Sequence, residues 1–60
     1  MIEFIRLARF DDPEYGLVTE FLNRESIIFA YTKEFNNKFT YEFVSDEINR
    51  ELIRKYLSND

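Results

Sequence analysis

The sixty-residue chain has no cysteine, no histidine and no tryptophan, and only a single glycine and a single proline. Each absence closes a route. Without cysteine there is no disulfide, and without a Cys or His cluster there is no structural zinc site. The commonest general base and the strongest nucleophile are both missing. One glycine cannot build a Gly-rich phosphate loop. No apolar run approaches the ~18 residues of a membrane span. The start, Met1-Ile2-Glu3-Phe4-Ile5-Arg6, lacks the basic region and unbroken apolar stretch of a secretory signal. The expectation is a soluble cytoplasmic protein that is not an enzyme, has no metal or cofactor and does not enter a membrane.

A chain this short buries only about 60% of the surface its unfolded form exposes. One domain over residues 1–60 is expected, stabilised by close packing or by oligomerisation. Eight Lys and Arg stand against twelve Asp and Glu, for a net charge of −4. A protein that grips phosphates shows a basic stripe. Here Arg50, Arg54 and Lys55 form the only local basic cluster, and acids are interleaved with them. Direct nucleic-acid binding is disfavoured, and an acidic surface suits a basic partner or plain solubility.

What the chain does have is aromatic surface, with seven Phe and four Tyr. Phe29, Tyr31, Phe35, Phe39, Tyr41 and Phe43 all fall on odd positions, on either side of Asn36-Asn37. Side chains alternate faces along a strand, so residues 27–44 read as a hairpin with one aromatic face. A two-residue loop, Asn36-Asn37, pairs Glu34 with Phe39 and Ala30 with Phe43, and sets the aromatics of the two strands on opposite faces. A three-residue loop, Asn36 to Lys38, pairs Phe35 with Phe39 and Tyr31 with Phe43 and keeps them together. One buried face specifies register strongly, so the three-residue loop is expected. The even face then carries Ile28, Ala30, Thr32, Glu34, Thr40, Glu42 and Val44.

Ile2 to Phe10 reads as a first strand, with Ile2, Phe4 and Ala8 on one face and Ile5 and Leu7 on the other. Asp11 to Gly16 is a break: Pro13 fixes φ, and Gly16 can supply a positive φ. Leu17 to Arg24 has two readings. One is a returning strand over Leu17 to Leu22. The other is a short helix capped by Asp12, begun by Pro13 and burying Tyr15, Val18, Phe21 and Leu22. Gly16 in its first turn would cost up to about 1 kcal/mol, which favours the strand. Asn23 to Ser26 makes the next turn. The last segment is a helix capped by Ser45 or Asp46, with acids in its first turn. Ile48, Leu52, Ile53, Tyr56 and Leu57 form its apolar stripe, and Glu51 lies four residues before Lys55. The expected fold is α+β: a small antiparallel sheet in the order β-β-β-β-α, with the C-terminal helix packed on it. The alternative is β-α-β-β-α.

Paired carboxylates remain at Asp11, Asp12 and Glu14, and at Asp46 and Glu47. Turn chemistry accounts for the first group and helix capping for the second. The loop group lacks the further oxygens and spacing of a calcium site. The aromatics are more informative. Each buries roughly 150–250 Å², more in sum than one helix covers, and leftover apolar surface marks an interface. Tyr15, Phe21 and Tyr31 are the candidate contact residues. A second possibility is a row of Glu20, Glu34, Glu42, Glu47 and Glu51. If they share a face they imitate a phosphate backbone, with Glu34 and Glu42 as its centre.

Phe, Tyr, Met, Ile, Asn and Lys total 26 residues against 9 for Gly, Ala, Arg and Pro, a bias typical of AT-rich codons. In size, acidity and codon bias the chain is similar to small phage proteins that bind and inhibit a host enzyme or defence complex. That resemblance implies a non-enzymatic protein-binding inhibitor in the host cytoplasm. It would act on a host protein, such as one that binds nucleic acid, by surface occlusion or nucleic-acid mimicry. The aromatic surplus also points to a homodimer. The alternative is a self-associating structural or assembly subunit.

Overall fold

A computed structural model describes residues 3–57. Strands β1 (Ile5–Asp12), β2 (Gly16–Asn23), β3 (Ser26–Phe35) and β4 (Lys38–Phe43) precede one helix, α1 (Asp46–Tyr56). The strands pair antiparallel in the order β1-β2-β3-β4, a meander in which every strand lies beside its sequence neighbour. This is the expected β-β-β-β-α arrangement. The alternative with an early helix is excluded, because Leu17 to Asn23 is part of β2, with Val18, Thr19, Phe21 and Leu22 paired on both sides.

The first strand runs two residues further than its sequence suggests. Asp11 and Asp12 pair with Leu17 and Gly16. Gly16 takes φ +79, which lets the chain turn within Pro13, Glu14 and Tyr15. The expected position of Ile2 lies outside the described residues.

The β3–β4 register corrects the expectation. Phe35 pairs with Lys38, Glu34 with Phe39, Tyr31 with Glu42 and Ala30 with Phe43, so the loop is the two-residue Asn36-Asn37. Both asparagines have positive φ, 52 and 64. Such a turn twists in the sense of the flanking strands, and Asn accepts the left-handed region better than other non-glycine residues. A three-residue loop would have forced Lys38 into that region. Local turn chemistry therefore outweighs the gain from a single aromatic face, and the aromatics divide between both faces.

Cross-strand partners share a face. On one face lie Phe10, Val18, Phe29 and Tyr31, and α1 covers it. Val18, Phe29 and Leu52 are fully buried there with Val44 beside them, and Phe10, Tyr15, Ile27, Tyr31, Ile48, Ile53, Tyr56 and Leu57 pack against them, so the candidate contact residues Tyr15 and Tyr31 belong to the border of the core. The Phe10 and Tyr56 rings stack with centroids 4.3 Å apart. Ser45 is the N-cap, its hydroxyl accepting the Ile48 N–H at 3.3 Å.

Asn49 fixes where the helix sits. β4 ends at Phe43, so β3 loses its neighbour before its own start. The Phe29 N–H donates to Asn49 Oδ1 at 2.7 Å, and Asn49 Nδ2 donates to the Ile27 carbonyl at 2.9 Å. The Phe29 carbonyl takes the Val44 N–H at 3.1 Å. One side-chain amide thus stands in for the missing strand and satisfies backbone groups that would otherwise go unpaired.

Candidate functional site

The other face of the sheet carries no helix. Phe21 forms its floor. The Tyr41 ring meets it edge-on at 5.0 Å, and Phe4 and Phe43 stand 6.3 and 6.1 Å away. In a flat sheet β1 and β4 would lie roughly 14 Å apart, three strand spacings. Yet the Phe4 and Phe43 rings are 5.0 Å apart, and the Arg9 guanidinium lies 4.2 Å above the Phe39 ring. The sheet therefore curls over this face. A bulge in β1 between Arg6 and Arg9 adds to the curl. Beneath the rings runs a polar thread: Arg9 Nε donates to Thr19 Oγ1 at 3.4 Å, Thr19 and Thr32 hydroxyls meet at 2.6 Å, and Thr32 donates to the Ala30 carbonyl at 3.2 Å. Thr19 and Ala30 are fully buried with no helix above them. The rim stays open. Phe4 is 41% exposed, Phe39 36%, Tyr41 38% and Phe43 46%.

The helix side holds the polar cluster. Asp12 Oδ1 accepts the N–H groups of Glu14 and Tyr15 at 2.8 and 3.0 Å. Its Oδ2 accepts Lys55 Nζ at 2.8 Å and the Tyr56 hydroxyl at 2.6 Å. Donation from Lys55, then Tyr56, holds this buried carboxyl well below the usual carboxylate range. The same bonds push the Lys55 ammonium and the Tyr56 phenol up. The Tyr15 hydroxyl donates to Glu51 Oε1 at 2.9 Å, and that bond, with burial, pushes the phenol up to about 12. A carboxylate with both oxygens occupied by donors stays ionised and has no room to exchange a proton with a substrate. Turn chemistry at Asp12 was legible in the sequence; its reach to the last helical turn was not.

The sequence-selected contact residues do not form one site. Tyr15 and Tyr31 share the helix side, with rings 6.5 Å apart. Phe21 lies on the opposite face, 8% exposed, as the floor of the aromatic cluster. Glu34 pairs with Phe39 and falls on the helix-free face, whereas Glu42 pairs with Tyr31 on the helix side. Glu20 is buried. The row of five carboxylates therefore does not assemble; the two-residue turn separates its central pair. The exposed rings of Phe4, Phe39, Tyr41 and Phe43 were missed as a surface because the three-residue register placed the hairpin aromatics under the helix. The signal was the Asn-Asn dipeptide itself.

The hollows among the described residues are shallow. One open hollow of about 230 Å³ is lined by Tyr31, Lys33, Thr40, Tyr41 and Glu42, and another of about 220 Å³ by Arg6, Leu7 and Arg9. Ligand pockets start at about 300 Å³. Among the described residues no group of Asp and Glu side chains is arranged to hold a metal ion, and no helix is long and apolar enough to cross a membrane. What the geometry defines is a small α+β domain whose helix covers part of one aromatic face, leaving Phe35 at its end 77% exposed, while the other face carries no helix. Comparison with protein-family models, curated proteins and solved structures finds no match for the chain.

Proposed function

We propose that this chain is a non-enzymatic protein-binding module that covers a partner's surface with the helix-free face of its sheet. The observation that carries this reading is the partial exposure of Phe4, Phe39, Tyr41 and Phe43 around a buried floor. At ~200 Å² per ring, they leave about 300 Å² of exposed aromatic surface on that face, the size of the largest apolar patch on many monomers and often a functional one. Such rings supply large contact area at low entropic cost, as binding hot spots do. Arg6 and Arg9 border the patch on the β1 side and Glu34 stands beside Phe39, so the fitting partner presents apolar groups flanked by charges of both signs. Surface occlusion is favoured over nucleic-acid mimicry, because Glu34 and Glu42 lie on opposite faces. Inhibition of a host protein, in the manner of the small phage proteins it is similar to, is the form of this activity its size and acidity suit. A cysteine-free chain fits the cytoplasm.

The test uses the full chain as bait in lysate against a Phe4→Ser/Phe43→Thr variant whose fold is checked by circular dichroism. The same protein should be captured by the wild type and lost by the variant, and retained by Glu34→Lys. Equal capture by the aromatic variant would overturn the reading.

A further inference from the structure

The two edges of the sheet differ. The ladder of β1 is broken by the bulge between Arg6 and Arg9, a feature that blunts an edge against pairing. β4 matches β3 residue for residue from Lys38 to Phe43, without bulge, proline or glycine. All its residues are exposed, and α1 is tied to β3 rather than laid against β4. The backbone direction of β4 follows from the loop. In a two-residue hairpin the closing pair, Phe35 and Lys38, is hydrogen-bonded and the pattern alternates. Lys38, Thr40 and Glu42 therefore bond inward to β3, as Val44 does to Phe29. Phe39, Tyr41 and Phe43 direct their N–H and C=O groups outward.

We propose that β4 pairs antiparallel with β4 of a second copy of this chain, about a two-fold axis at Thr40. This deepens the protein-binding reading by naming one partner. Charge selects the register. With Thr40 on the axis, Lys38 faces Glu42 of the second copy and Phe39 faces its Tyr41, each pair on a common face. Phe39 and Tyr41 then exchange N–H···O bonds with Tyr41 and Phe39 across the axis. Centring on Tyr41 sets Lys38 against Val44 and Glu42 against Thr40; centring on Phe39 sets Lys38 against Thr40. Only the Thr40 register opposes unlike charges, which stabilises cross-strand pairs. Neither Lys38 nor Glu42 has an ion-pair partner among the described residues. Such a pairing is isologous, and it joins the two helix-free faces into one continuous surface.

Sedimentation of the full chain across a concentration series tests this. The wild type should be a dimer. Lys38→Glu and Glu42→Lys should each weaken it by about tenfold or more, since each sets like charges opposite each other. Mixing the two variants should restore a heterodimer, because one then carries acids and the other lysines at both positions. A monomeric wild type, a dimer indifferent to either reversal, or a mixture that stays monomeric would overturn the proposal. Partner capture through Phe4 and Phe43 is scored separately on the same proteins, so loss of pairing and loss of the aromatic contact surface are told apart.

Discussion

The rings of Phe4 and Phe43 stand 5.0 Å apart although they arise at opposite edges of the sheet. Both rings also stand against Phe21, so a face without a helix acquires a small core of its own. The domain is thus held by two apolar clusters, one on each side of the same strands.

Truncation should rank these rings by depth. Phe21→Ala removes a side chain that is 8% exposed and should cost roughly 3–5 kcal/mol. A domain of this size has a total stability of only about 3–9 kcal/mol, so the variant should sit near its unfolding midpoint at 37 °C. Phe43→Ala, at 46% exposure, should cost about 1 kcal/mol. Urea titrations of both variants give the comparison.

Arg24 holds φ 60 in the turn between β2 and β3. A side chain there carries a left-handed penalty of roughly 1–2 kcal/mol that glycine avoids. Arg24→Gly should therefore raise the melting temperature by a few degrees. Asn37→Gly should do so less, since asparagine tolerates this conformation. An Arg24→Gly variant that melts lower would contradict the turn geometry.

Removing the Asn49 amide should loosen the start of β3. Asn49→Ala strips the partners from the Phe29 N–H and the Ile27 carbonyl, at a cost of about 1–3 kcal/mol, part of which alanine's helix propensity offsets. Hydrogen exchange at the Phe29 amide should accelerate more than at Thr40. Asn49→Asp keeps the acceptor but loses the donor, and should fall between wild type and alanine.

Stability should be flat from roughly pH 5 to 9 and fall on both sides. The Asp12 carboxyl lies below its ordinary 3.8 in the folded chain. Its contribution is complete above that value and is lost as pH falls through the lower folded value. The Tyr15 phenol is raised from 10.0 to about 12 by Glu51 and burial, so its contribution is complete below 10.0 and lost as pH rises through about 12. Asp12→Asn should lower the neutral-pH melting temperature by roughly 10 °C and flatten the acid limb; Tyr15→Phe should make the alkaline limb shallower, with the share of the raised Tyr56 and Lys55 remaining. Melting curves taken across the pH series read both.

Local signals in this sequence were dependable where one residue type decides the conformation. Pro13, Gly16 and the Ile48-to-Leu57 stripe marked the first turn and the helix, the cap was narrowed to Ser45 or Asp46, and the β-β-β-β-α succession followed from them, whereas the order of the strands within the sheet did not. The hairpin was misread because two signals conflicted. Odd-numbered aromatics suggested one face, while Asn36-Asn37 demanded a tight turn that shifts register by one residue. The sequence pattern carried no sign that the sheet would curl, and curling is what makes aromatics on a second face affordable. Asn49 was equally hidden: an asparagine inside a helix reads as a weak helix former until a strand end is known to lie beside it.

Asp12 and Tyr56 are 44 positions apart in sequence, yet they share a hydrogen bond. The strands of the meander can pair by successive short loops, whereas this clasp joins the first turn of the chain to its last and closes a loop over most of its length. Such contacts form late, after the local pairings have been made. Substitutions at Asp12 should then speed unfolding and leave the folding rate nearly unchanged. The clasp governs how long the native state survives once reached, and with it the resistance of the domain to proteases that act on the opened chain.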